Sequence, residues 1–233
     1  MHNVEKAEDN LYIMTDQSVG KKEEEKMTPI AKDAQKRERI IAAAMEVFAA
    51  EGLSKGTIAS VASRAGIGKG TVYEYFRSKD ELFQAMLEYF FAGMIAQWEA
   101  LIQSPLAYKD KLNLLIDSTF DFMDFDNLQA MSTWRMVFEI ILYALRQPEG
   151  GESAINLAES FRSLISAFEP LLAEGVERGL IKPMETRDLA FLLFAALDGV
   201  GLHFFLQKGN YDAGRLKSLL RQILVTGIFK EAL

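Results

Sequence analysis

Residues 57–82 read TIASVASRAGIGKGTVYEYFRSKDEL. Thr57 opens a short helix whose narrow apolar face is Ile58, Val61 and Ala62, and its hydroxyl is placed to cap the free N–H groups of the first turn. Gly66 stands where the chain must turn tightly, and Gly68 to Phe76 forms the next short helix, with Val72 and Phe76 four apart and facing inward. Ser78, followed three residues later by Glu81, is a capping box that starts a much longer helix. With the helix that precedes them, these segments make a helix-turn-helix, the unit that lays its second helix in the major groove of DNA.

Upstream, RERIIAAAMEVFAAE (37–51) puts Ile40, Ile41, Ala44, Val47 and Phe48 on one helical face, and Gly52 supplies the stop. Downstream, apolar residues from Leu82 to Ile102, among them Phe90, Phe91 and Trp98, keep helical spacing until Ser104-Pro105 ends the run. Further helices are expected at about 107–125, 127–147, 152–178, 185–207 and 211–231, divided by Pro148 to Gly151, Gly179 to Pro183 and Gly209-Asn210. No segment alternates with period two. The expected fold is all-α with about nine helices: a helix-turn-helix domain at 30–80, and a larger helical effector-binding and dimerisation domain at 81–233.

The 233 residues, about half of them apolar, suffice for a sizeable core, and the absence of cysteine excludes disulfides and thiolate chemistry. Residues 1–29 read as a solvated, disordered tail with no secretion signal, and Met27 offers an alternative translation start. Charge is segregated. The tail carries 4 Lys/Arg against 7 Asp/Glu, residues 30–80 carry 9 against 6, and residues 81–233 carry 13 against 20. A basic head on an acidic body suits a chain that grips phosphates with one part and repels them with the other.

From Arg37 to Leu87 the order of motifs closely resembles the N-terminal domain of the tetracycline-repressor (TetR) family. The resemblance rests on IIAAAMEVFAAEG, then IASVASRAGI, Gly70-Thr71-Val72-Tyr73, Tyr75-Phe76 and Ser78-Lys79-Asp80-Glu81-Leu82. It covers about a fifth of the chain; the remainder is similar only in length and helical layout. Gly68 departs from the Ser or Thr that many relatives carry there, which removes a possible phosphate donor. The resemblance implies a dimeric, ligand-responsive DNA-binding regulator, most often a repressor. It also implies that Tyr73, Tyr75 and Lys79 clamp phosphates, with Thr57 and Thr71 contributing hydroxyl and backbone N–H groups. From the residues themselves, Lys69, Gly70, Thr71 and Tyr73 lie at the exposed start of the third helix, and Ser63 and Arg64 are within reach of the groove or its rim. Lys36, Arg37, Arg39 and Lys55 are either a solvated face or further phosphate contacts.

The middle of the chain is rich in large apolar side chains, and any one of them is more often core than pocket wall. Together Phe120, Met123, Trp134, Phe138 and Tyr143 are candidates to line an adaptable cavity for a small hydrophobic or aromatic effector. Arg135 and Glu139, four apart, are expected to be a surface pair. Leu189 to Leu206 approaches the length of a bilayer span, but Asp198 at its middle makes insertion costly. It reads better as a helix that pairs with the last one to form a homodimer interface over about 185–231. His203 diverges from Asp198 and is expected to be a packed or interface histidine. No catalytic constellation, metal motif or cofactor loop is present, so the expectation is a non-enzymatic, cytoplasmic protein whose partners are a double-stranded DNA operator and an effector.

Overall fold

The computed structural model describes residues 28–121, 128–147, 155–207 and 212–228, and among these the chain runs through nine helices and no sheet. The first three are α1 (Pro29–Glu51), α2 (Ile58–Ala65) and α3 (Lys69–Tyr75). The long α4 (Lys79–Gln103) follows. The body then adds α5 (Tyr108–Asp121), α6 (Leu128–Leu145), α7 (Leu157–Glu177), α8 (Thr186–Leu206) and α9 (Ala213–Ile228). The expected tail, up to residue 27, lies outside the described residues.

α1 begins eight residues before the periodic stretch that announces it. Thr28 caps it, its hydroxyl accepting the Ala31 N–H at 3.3 Å, and Pro29 occupies the first turn. Residues 32–39 are exposed throughout, so this extension buries no stripe that periodicity could reveal. Thr57 caps α2 as expected, accepting the Ser60 N–H at 3.1 Å, and Gly66 ends it in the left-handed region at φ 66°. α3 starts at Gly68 without a side-chain cap, whereas Ser78 caps α4 and Glu81 reaches back to the Arg77 N–H at 2.7 Å.

The head core is built from Ile40, Ala44 and Phe48 of α1, Val61 of α2, Val72 and Phe76 at α3, and Leu82 and Phe83 of α4, each at most 1% exposed. Below it, α4 packs on α7 through edge-to-face and tilted rings: Phe91 on Phe161 at 5.5 Å and Trp98 on Phe168 at 6.3 Å. α8 closes this layer, with Phe194 6.2 Å from Trp98. α5 packs against α4 and α8 and carries α9, which Arg221 pairs to Asp117. No helix among the described residues is long and apolar enough to cross a membrane.

Candidate nucleic-acid interface

α3 presents a small, open, cation-bearing surface. Lys69, Gly70 and Tyr73 are exposed, and the Lys69 ammonium stands 5.9 Å from the Tyr73 ring centroid. A Cβ added to Gly70 would meet nothing within 4 Å, so no neighbour in the chain demands glycine there, and its smoothness faces outward. Thr71 is half-buried, its N–H closing the first turn onto the Gly68 carbonyl at 3.0 Å. Thr57 is exposed at the start of α2, with its hydroxyl already engaged by Ser60.

Other expected contacts have intramolecular partners. Arg64 is exposed but paired with Glu46 of α1. Tyr75 donates its hydroxyl to Asp33 at 2.5 Å, and this hydrogen bond holds the phenol above its ordinary pKa. Asp33 belongs to the exposed extension of α1, so that bond ties the extension to α3. Arg37 lies over Phe76, its guanidinium carbon 5.2 Å from the ring centroid, while Lys36, Arg39 and Lys55 are exposed.

Lys79, which the resemblance implies as a phosphate clamp, has partners within the chain. Its ammonium turns inward, donating to the Leu53 carbonyl at 2.8 Å and the Gly56 carbonyl at 3.2 Å, 5.0 Å from the Phe48 ring centroid and 5.3 Å from that of Phe83. Burial lowers its pKa. Two carbonyls left bare by the α1–α2 turn, above two aromatic faces, make a better-matched site than open solvent.

The effector candidates divide. Trp134 and Phe138 are both half-buried on α6, with ring centroids 5.8 Å apart, and Trp134 meets Phe90 of α4 edge-on at 5.6 Å. Nothing is described of the Phe120 side chain, and Met123 lies outside the described residues. Tyr143 donates its hydroxyl to Asp80 at 2.6 Å and its ring stands edge-on to Phe83 at 5.5 Å, beside the first turns of α4. The surface pair of Arg135 and Glu139 exists at 4.0 Å, but both side chains also reach the head. Arg135 Nη2 donates to the Ala49 carbonyl at 2.9 Å, and Glu139 Oε2 accepts the Leu53 N–H at 2.8 Å. These partners lie 86 residues away in the chain, and nothing in an i,i+4 spacing announces them. His203 is exposed on α8 with Gln207 at 3.4 Å, so within this chain it is not packed.

Two family models match the chain. "Bacterial regulatory proteins, tetR family" covers residues 40–86, and "BetI-type transcriptional repressor, C-terminal" covers residues 109–228. The fatty acid metabolism regulator protein of Bacillus subtilis is 27% identical over 191 residues, 82% of this chain and 94% of that protein. The transcriptional repressor KstR2 of Mycobacterium tuberculosis is 22% identical, with 84% and 94% covered. Among solved structures, FadR from Bacillus subtilis in complex with stearoyl-CoA has the same fold at a TM-score of 0.62 and 24% identity, covering 82% of this chain and 98% of that one. NemR of E. coli in its reduced form has a TM-score of 0.68 at 20% identity, with 85% and 100% covered.

Proposed function

The chain belongs to the TetR family of bacterial regulatory proteins and is a DNA-binding transcriptional regulator, and from that premise we propose that it is a homodimeric, effector-released repressor. Two copies of α3 enter successive major grooves of a palindromic operator, about 34–36 Å apart. The observation that carries this reading is the exposed Lys69-Gly70-Tyr73 surface on a three-helix head with a buried apolar core. Lys69 and Tyr73 grip backbone or base edges, Gly70 lets the helix approach closely, and Thr57 and Thr71 offer N–H and hydroxyl donors from the helix starts. Arg64 and Tyr75 join by exchanging Glu46 and Asp33 for phosphate, and Lys79 acts from behind by holding the α1–α2 turn.

The effector is a hydrophobic small molecule that lodges among α4, α6 and α7, with Trp134, Phe138 and Phe90 as part of its wall. Relatives named for fatty acid metabolism and a fold neighbour holding stearoyl-CoA favour an acyl derivative. Dimerisation uses α8 and α9, where Phe191, Leu192, Leu206 and Ile223 are each more than half exposed in the single chain. Such a protein works in the cytoplasm and turns over no substrate. To release DNA the effector must bind the DNA-incompetent state more tightly, and a coupling of about 1–3 kcal/mol changes affinity roughly 5- to 150-fold.

The test is binding to the chain's own upstream intergenic DNA across a salt series, with Tyr73→Ala as control. A tight complex with a steep salt dependence that the substitution weakens supports the reading. Failure against that fragment and against random genomic fragments alike overturns it.

A further inference from the structure

The head is joined to the body covalently only through α4, whose first turns also carry Leu82 and Phe83 into the head core. The structure shows a second connection. Arg135, Glu139 and Tyr143 succeed one another near one face of α6, spanning about 12 Å along it. All three bond to the head side of the molecule. Arg135 takes the carbonyl of Ala49, which in the last turn of α1 has no intrahelical donor. Glu139 takes the N–H of Leu53, just beyond the Gly52 cap, and Tyr143 takes Asp80 in the first turn of α4 while its ring packs on Phe83. A cation on the carbonyl end of α1 and a carboxylate on the free N–H beyond it are the partners that a helix end calls for. Here they come from a distant helix of the body rather than from a local cap.

We propose that α6 is a brace that fixes the orientation of the recognition helix, with Arg135, Glu139 and Tyr143 as positioning residues for DNA binding. The proposal rests on the reading of α3 as the DNA-contacting helix. Two anchors at the end of α1, off the α4 axis, and a third on the first turn of α4 hold α1 and α4 in one orientation against α6. Trp134 and Phe138 sit beside Arg135 and Glu139 on the same helix, and Trp134 contacts Phe90 of α4, so a molecule wedged between α4 and α6 moves the anchors and the head with them.

The chain contains no cysteine, so Glu74→Cys on α3 and Glu177→Cys at the end of α7, both exposed positions, can carry nitroxide labels without interference. Dilution with unlabelled chains isolates the pair within one chain, and pulsed electron–electron resonance reads its distance distribution. The unaltered brace gives one narrow distribution. Arg135→Ala with Glu139→Ala broadens it roughly twofold while helical content stays constant, and Glu139→Gln, which still accepts from the Leu53 N–H, keeps it narrow. Should the double variant lose helical content, Tyr143→Phe removes only one hydroxyl and gives a smaller broadening in the same sense. An unchanged width in the double variant, or equal broadening in an Arg162→Ala control whose partner is Glu159, overturns the proposal. No DNA enters the measurement, so its failure and a failure of the Tyr73→Ala binding test are told apart.

Discussion

Asp198 lies on α8 directly after the buried Leu197, and desolvation raises its carboxyl to about 6. A carboxyl that binds its proton more tightly when folded contributes stability that is fully present below the ordinary carboxylate value and is lost as pH rises through about 6. Thermal melting from pH 4 to pH 8 is therefore expected to show a decline that Asp198→Asn removes, with the variant more stable by about 1–3 kcal/mol at pH 8. An identical pH dependence in the two proteins refutes this assignment. Gly175 makes the opposite case, for here the side chain is absent because space is. A Cβ on it would strike the Tyr108 hydroxyl, which donates to the Leu171 carbonyl at 2.9 Å in the core. Gly175→Ala should cost about 1–3 kcal/mol by denaturant unfolding. The sequence marks Asp198 only as a charge in an apolar run and gives no sign of Gly175, since burial of the one and crowding at the other arise from what other helices bring to them.

The helix starts are local chemistry and were legible. Thr57 and Ser78 cap α2 and α4 as their spacing predicts, and Ser78→Ala is expected to lose about 1 kcal/mol of stability, checked by thermal melting. α1 was only partly legible, because periodicity detects a buried stripe and the residues after Pro29 bury none. What they carry is Asp33, whose bond to Tyr75 depends on two helices meeting. Lys79 shows the same limit. Its motif places it at the start of α4, but the direction of its side chain depends on the carbonyls of Leu53 and Gly56, which the α1–α2 turn leaves free. Lys79→Met keeps the stem and removes the ammonium, and should destabilise the head by about 1–3 kcal/mol, read as faster amide hydrogen exchange across residues 53–57.

Across the molecule, the exposed apolar side chains of α8 and α9 are the face on which the proposed dimer pairs. Phe191→Glu with Leu206→Glu, both on exposed positions, is expected to convert the dimer to monomer in light scattering while the helical content of each chain is kept. If both proteins scatter as monomers, the interface lies elsewhere or is absent. Operator affinity should fall with the dimer, since one head makes half the phosphate contacts and loses the corresponding part of the salt slope.

Helical class, helix number, the position of the turn and the apolar faces of the head were determined by the sequence itself. They follow from periods of 3.6, capping residues and glycines, all of which act over a few residues. The resemblance to the TetR head lay in the same short stretch. The tertiary structure alone decided which side chains find partners within the chain and which stay exposed. It turned Lys79 inward, paired Arg64 with Glu46, set Tyr143 against Asp80, and carried Arg135 and Glu139 across 86 residues of chain to the end of α1. Each outcome depends on a donor meeting an acceptor from a distant segment, and that meeting is set by how the helices pack rather than by any spacing along the chain.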